Sequence, residues 1–317
     1  MLTCPKRSVV YKWGMERLGI SATGHGLNYL PEYHAASSGL FSQLGLEVTA
    51  RPRDPWTGVL DDLADGAADV ALGGLWVPAM YAGKARDLVV VGQLNARFPM
   101  VVVTRAPVAD FEWAWMTGRT VLVPGAGGTA PYEFSAGLMR EAGVLPAGTR
   151  FVRDLSSDML TELFLKGLGD AILLDLLSAT RLEAGGAGHM TCRLADVGGP
   201  MPNSVYYVRR DRLEPLHDRL VALLGGVGTA MAQLTAGTVP LEGLLAREWP
   251  DIGLGALDRA AAELMANGTW SSTRVDPAAC ARWVAMLHTA GAVDRDIAYE
   301  ELVDNSALDD AELAQAR

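Results

Sequence analysis

The chain has 317 residues, of which 50% are hydrophobic and 20% are charged. This length and composition indicate an ordinary globular protein with one large or two medium-sized domains. The net charge is −10 and no segment is rich in lysine and arginine, which argues against nucleic acid and anionic membranes as partners.

Cysteine and histidine are too scattered to indicate a disulfide framework or a metal site. The three cysteines lie far apart, and none of the five histidines has the spacing of a known ligand motif. The sequence also carries no clean nucleotide-binding fingerprint, so it predicts neither a metal nor a cofactor.

The sequence predicts no direct membrane insertion, because no apolar run reaches the roughly 18–20 residues of a membrane span. The first 21 residues contain no apolar segment and no small-residue cleavage site of the kind found in signal peptides. As written, the chain is therefore expected in the cytoplasm. If the N-terminus is truncated or misassigned, a periplasmic or cell-surface location is expected instead.

Short apolar runs alternate with amphipathic runs along the first two thirds of the chain. Residues 1–14 form a loose extension, and strands are predicted at 17–22, 46–50, 69–73, 88–93, 100–104, 121–123, 170–175, 190–194 and 204–209. Helices are predicted between them, and from residue 211 onward the pattern is mainly helical, with segments at 213–234, 241–247, 257–266 and 277–289. This alternation predicts an α/β fold with largely parallel strands.

An internal repeat relates two parts of the chain about 100 residues apart. Arg53-Asp54-x-x-Thr57 is followed by Val-Leu-x-x-Leu, and Arg153-Asp154-x-x-Ser157 is followed by Met-Leu-x-x-Leu. Downstream, Gly-x-x-Asp turns lead into buried runs at residues 66–72 and 167–173. The repeat predicts two similar α/β units.

A glycine-rich turn in the second unit is the best candidate for a ligand cradle. Residues 121–134 read VLVPGAGGTAPYEF, which indicates a strand, a glycine turn, and a helix with Thr129 as its N-cap. Such a turn directs backbone N–H groups at the positive end of a helix dipole and suits an anionic group. A plain strand-to-helix connection is the alternative explanation.

Taken together, these features resemble the type II periplasmic solute-binding protein superfamily. The branch in question contains alkanesulfonate-, taurine- and thiamine-precursor-binding proteins and the fungal thiamine-pyrimidine synthase. The segments that carry the resemblance are LPEYHAASSGLFSQLGL at 30–46, LADGAADVAL at 63–72, the glycine turn at 124–134 and LVDNS at 302–306.

The resemblance implies two lobes with a ligand cleft between them and two crossing strands, expected near Val103–Arg105 and Ser204–Tyr207. Lobe 1 would comprise residues 15–103 and 205–317 with the C-terminal helices, and lobe 2 residues 104–204. Ligands in such sheets lie beyond the carboxyl ends of the strands. The loops at those ends give the expected ligand-binding residues His25, Asn28, Trp56, Trp76, Gly127, Gly128, Thr129, Tyr132, Ser156, Asp175 and Asn203.

Two functions fit this scaffold. The first is a solute-binding protein for a small anionic or heteroaromatic ligand, working with the permease of an ABC-type membrane transporter. The second is a cytoplasmic, cofactor-independent lyase, dehydratase or hydrolase, with His25 as acid/base and Asp175 or Glu32 as its partner. Asp175 ends a buried run, and burial would raise the pKa of its carboxyl group. The reactive lysine of the thiamine-pyrimidine synthase has no counterpart at 73–78.

Overall fold

Ten strands form two five-stranded sheets in a computed structural model that describes residues 15–84, 86–125 and 128–316. The predicted extension at 1–14 lies outside the described residues. The strands are β1 (Glu16–Ala22), β2 (Leu46–Pro52), β3 (Val70–Gly74), β4 (Leu88–Gln93), β5 (Met100–Thr104), β6 (Thr120–Leu122), β7 (Arg150–Val152), β8 (Ala171–Asp175), β9 (His189–Arg193) and β10 (Ser204–Arg209).

Helices connect the strands and make up nearly all of the C-terminal third. They are α1 (Leu30–Ser37), α2 (Leu40–Gln43), α3 (Gly58–Asp65), α4 (Trp76–Tyr81), α5 (Ala130–Glu141), α6 (Ser157–Leu165), α7 (Leu176–Ala184), α8 (Leu194–Val197), α9 (Leu213–Thr235), α10 (Glu242–Glu248), α11 (Leu254–Ala266), α12 (Pro277–Thr289), α13 (Tyr299–Leu302) and α14 (Ser306–Gln315).

The two sheets have the same topology, and together they confirm the predicted two-lobed α/β fold. The first sheet has the order β2-β1-β3-β10-β4 and the second the order β7-β6-β8-β5-β9. In each sheet the fourth strand is antiparallel to its neighbours and comes from the other side of a crossing. The repeat near offset 100 is the sequence trace of this symmetry, because it relates α3 to α6 and β3 to β8.

The two crossings join the sheets at one edge. β4 of the first sheet leads into β5 of the second through residues 94–99, and residues 198–203 lead back into β10. The two segments pair with each other, because Asn203 N donates to Asn95 O at 3.0 Å and Met201 N donates to Ala96 O at 2.8 Å. These paired segments form a short hinge between the lobes.

This topology corrects the predicted crossing positions. Val103 lies inside β5 of the second sheet, and Ser204 begins β10 of the first, so each crossing precedes the predicted residues. A run of β-branched residues identifies a strand but not the sheet to which it pairs, and this explains the error. The rest of the proposed lobe division stays a prediction.

Both faces of each sheet are covered, as the continuous apolar runs of the strands predict. In β4, for example, Val89 and Val91 face one hydrophobic cluster, whereas Leu88 and Val90 face the other. The C-terminal helices complete this core and contact both lobes. Arg193 of β9 binds Glu263 of α11 at 2.5 Å, and Phe134 of α5 packs edge-on against Trp283 of α12.

Candidate functional site

A groove lies between the two sheets. It is lined by the loops at the carboxyl ends of their parallel strands. The first part, the α7 compartment, is a cavity of about 310 Å³ between residues 23–29 and the start of α7. The central compartment, of about 480 Å³, lies between residues 52–56 and the start of α6. The glycine-turn compartment, of about 450 Å³, lies between two tryptophans and the start of α5.

The three cavities adjoin one another, because neighbouring cavities share lining residues. His25 borders both the α7 and the central compartment. Trp56 borders both the central and the glycine-turn compartment. Loops from the two related halves therefore line adjoining cavities.

His25 lies in the loop after β1, where its ring packs against two aromatic side chains. Its centroid is 5.0 Å from that of Tyr33 and 5.0 Å from that of Trp249. Its Nε2 lies 3.4 Å from Oε2 of Glu248, at the end of α10. The structure therefore gives His25 an acidic neighbour, but not one of the two that the sequence suggested.

The predicted pairing of His25 with Glu32 or Asp175 is not formed. Glu32 is buried and accepts a 2.8 Å hydrogen bond from the Tyr206 hydroxyl, and its burial raises the pKa of the carboxyl group to about 7. Asp175 is exposed, because it lies one residue beyond the buried part of β8. Its Oδ1 accepts a hydrogen bond from Ser178 N at 3.0 Å and caps α7. The burial on which a basic role of Asp175 depended is therefore absent.

Asn28 and Asn203 lie on either side of the hinge residue Asn95. Asn28 lines the α7 compartment, and its Nδ2 donates to Asn95 Oδ1 at 2.8 Å. Asn203 belongs to the second crossing and meets Asn95 through its backbone. The structure places Asn28 at the groove and gives Asn203 a position in the hinge.

Two tryptophans form a wall of the glycine-turn compartment. Trp56 and Trp76 pack edge-to-face with centroids 4.8 Å apart. The Trp76 indole is buried against Gly128, where a Cβ built on the glycine would be only 2.5 Å from Cζ2 of the indole. Because the φ angle of Gly128 is also +123°, both the backbone and the close approach require glycine there.

The start of α5 differs from the predicted anion cradle. Thr129 occupies the N-cap position, but its hydroxyl donates to Oε1 of Glu133 at 3.3 Å instead of accepting from the helix backbone. Burial raises the pKa of the Glu133 carboxyl group. Tyr132 packs edge-on against Phe151, and the Arg153 guanidinium lies 4.0 Å from the centroid of the Tyr132 ring. Gly127 lies outside the described residues.

The start of α6 closes the central compartment. Ser156 caps this helix, because its hydroxyl oxygen accepts a hydrogen bond from Met159 N at 3.3 Å. Across the compartment, Arg53 Nε donates to Oδ2 of Asp62 at 2.6 Å. This hydrogen bond lowers the pKa of the Asp62 carboxyl group and pairs the charge of Arg53 with a carboxylate.

The sequence patterns do not identify the groove residues that come from the C-terminal helices and the hinge. Trp249, Ile252 and Leu264 line the α7 compartment, and Arg181 joins them from α7. Arg53 and Arg153 also line the groove, and their shared place in the repeated Arg-Asp motif could have identified them as site residues. An amphipathic helix pattern does not say which distant loop the helix will cover.

Comparison with known sequences identifies the family. The NMT1/THI5-like family model matches residues 27–234. The chain belongs to the NMT1/THI5-like family. "Putative binding protein YtlA" from Bacillus subtilis (strain 168) is 24% identical over 212 residues, which cover 65% of this chain and 63% of the relative.

Solved structures agree on the fold. The periplasmic sulfonate-binding protein SsuA from Methylobacillus flagellatus KT superimposes with a TM-score of 0.73 at 13% identity, with 96% of each chain covered. The ligand-binding component of an ABC-type import system from Staphylococcus aureus, solved with zinc bound, gives a TM-score of 0.72 at 12% identity, with 93% of this chain and 99% of the other covered. At such identities the likeness shows the fold and not the ligand.

Within 15–84, 86–125 and 128–316, no group of three or more His, Cys, Asp or Glu side chains is arranged to hold a metal ion. In the same part of the chain, no helix has both the length and the apolar character needed to span a membrane.

Proposed function

We propose that this chain is the solute-binding subunit of an ABC-type import system and holds a small ring-containing ligand in the groove between its lobes. The observation that carries the proposal is the row of adjoining cavities at the carboxyl edges of both sheets, beside a two-segment hinge. Binding-protein names among the structural neighbours and the Bacillus relative support the same function.

The side chains of the groove favour a flat ligand over a compact anion. Rings of His25, Trp56, Trp76, Tyr132 and Trp249 border its three compartments. Such rings offer large, rigid contact surfaces to another ring.

Some places that could receive a sulfonate are already occupied. Arg53 is paired with Asp62, and the carboxylate of Asp175 caps the N-terminus of α7. The Trp76 indole packs against the glycine turn at the start of α5. Arg153 and Arg181 also line the groove, so it is the ring walls, and not a lack of cationic groups, that favour a heteroaromatic ligand such as a precursor of the thiamine pyrimidine.

The enzyme alternative has less support from this geometry. Its acid/base residue, His25, contacts Glu248 at the long distance of 3.4 Å, and its two predicted partners have other roles. The neighbours named as periplasmic or as import components favour a location outside the cytoplasm. The expectation of a cytoplasmic protein has no support from them, and a membrane permease is the expected partner.

Native mass spectrometry of freshly purified protein tests the proposal. A bound molecule of a few hundred daltons should be released intact by mild denaturation, and its absorbance should show an aromatic ring. Titration calorimetry with the identified compound should then give one site per chain. A Trp56→Ala variant should bind it at least about tenfold more weakly, because an aromatic contact is lost.

Two results would contradict the proposal. A released compound without a ring would remove the argument from the aromatic walls. Conversion of the compound by the purified protein, abolished in a His25→Ala variant, would favour the enzyme instead. Glu300→Gln, an exposed change outside the groove, is the matched control for both assays.

A further inference from the structure

The hinge residue Asn95 fixes the orientation of the Asn28 side chain at the groove. Asn95 is fully buried, and its Nδ2 donates to two backbone carbonyls, Asn28 O at 2.8 Å and Leu94 O at 3.1 Å. An amide oxygen in that place would face two other oxygens, so the Nδ2 position is determined by the network. The Asn95 Oδ1 must therefore be the acceptor that faces Asn28.

This arrangement determines which atom Asn28 presents to the groove. Since Asn95 offers an acceptor, Asn28 has to turn its own Nδ2 toward it, and the two atoms are 2.8 Å apart. The Asn28 carbonyl oxygen also accepts a hydrogen bond from Trp270 Nε1 at 3.0 Å. The Asn28 Oδ1 makes no hydrogen bond within the described residues.

The position of Gly26 shows where this oxygen lies. A Cβ built on Gly26 would be 2.5 Å from Asn28 Oδ1, and both residues line the α7 compartment. Gly26 has an extended backbone, with φ −150° and ψ 156°, that any residue adopts. A side chain at position 26 would therefore displace this oxygen, which is not among the buried polar atoms that lack a partner in the described part of the chain.

We propose that Asn28 Oδ1 is the acceptor that recognises an N–H or O–H donor of the ligand, and that Asn95 is the positioning residue that aims it. The inference rests on the proposed function and narrows it to ligands that carry such a donor. A donor-free analogue of equal shape is rejected, because it would leave the amide oxygen desolvated and unpaired.

A matched pair of probes tests the proposal by calorimetry. 4-Amino-2-methylpyrimidine carries a donor where 2,4-dimethylpyrimidine has a methyl group of similar size. The wild-type protein should bind the amino compound about tenfold more tightly. This preference should fall to below about threefold in Asn28→Leu, Asn95→Ala and Gly26→Ala, the last because its methyl group would displace Oδ1.

Gly243→Ala is the control for Gly26→Ala. Gly243 is exposed on α10, outside the groove, and a Cβ there meets nothing within 4 Å, so the preference should be retained. Loss of the preference in Gly243→Ala, or its persistence in Gly26→Ala, would overturn the assignment. The preference is a ratio of two affinities, so a general loss of stability in Asn95→Ala would not by itself change it.

A second measurement works without any ligand. Side-chain amide exchange followed by NMR should show protected protons on Asn95 Nδ2 and on Asn28 Nδ2. The protection at Asn28 should disappear in Asn95→Ala. Free exchange of the Asn28 amide in the wild type would refute the proposed orientation even if neither probe binds, whereas failure of both probes would refute the ring-ligand proposal.

Discussion

The buried carboxyl group of Glu32 gives the most specific stability prediction. Glu32 lies in the first turn of α1, behind the groove loop, and its hydrogen-bond donor is the buried Tyr206 hydroxyl of β10. Burial raises the pKa of this carboxyl group to about 7, and the hydrogen bond from Tyr206 opposes part of that increase. We therefore predict that Glu32→Gln removes a pH-dependent cost from the folded state.

The sign and size follow from proton binding. Between pH 4.5 and about 7 the folded chain keeps a proton on Glu32 that the unfolded chain has released, so the free energy of unfolding falls as pH rises through this window. Each unit of pKa difference corresponds to about 1.4 kcal/mol, so the full loss is about 3 kcal/mol. Glutamine has nearly the same shape, can accept from Tyr206, and does not titrate.

Urea denaturation between pH 4 and pH 8, followed by circular dichroism, measures the effect. The stability of Glu32→Gln relative to wild type should increase by about 3 kcal/mol across this range and then stay level. Tyr206→Phe should move the window to higher pH, because it removes the hydrogen bond that favours the carboxylate. Parallel curves for wild type and Glu32→Gln would refute the reasoning, and the exposed Glu300→Gln should give parallel curves.

Two further substitutions test contacts around the groove. Gly128→Ala should destabilise the protein by about 2 kcal/mol and shift its tryptophan fluorescence, since the new methyl group would overlap Trp76. Gly39→Ala is the control, because Gly39 also has a positive φ but a methyl group there would make no such contact. Arg53→Met should destabilise the protein at pH 7, as measured by chemical denaturation, because Asp62 loses its cationic partner. Because Arg53 lowers the pKa of Asp62, this difference should shrink as the pH falls below about 4, and a constant difference would contradict it.

The repeat carried most of the information about the fold. The Arg-Asp motifs at positions 53 and 153 follow β2 and β7 and precede α3 and α6, so they marked equivalent points in the two lobes. The repeat did not show that β5 belongs to the second sheet and β10 to the first. Both strands are short buried runs, and only their pairing with β8 and β3 decides the sheet in which each lies.

The loops around the groove were predicted more successfully than the roles of their side chains. The sequence placed His25, Trp56 and Ser156 at strand ends, and each lines the groove. It could not predict that Asp175 would cap its own helix instead of being buried, because that depends on a single residue at the end of β8. The end of a strand or helix is fixed by sequence patterns only to within one or two residues.

The partners that define the site are distant in sequence, and this limits what sequence patterns reveal. His25 meets Glu248 across 223 residues, and Asn28 meets Asn95 across 67. Neither contact leaves a periodic trace, because each depends on how the C-terminal helices and the hinge fold back onto one loop. The residues between positions 23 and 29 therefore acquire their chemical roles only when the hinge and α10 are in place, which makes Asn95 and Glu248 as important to test as the loop itself.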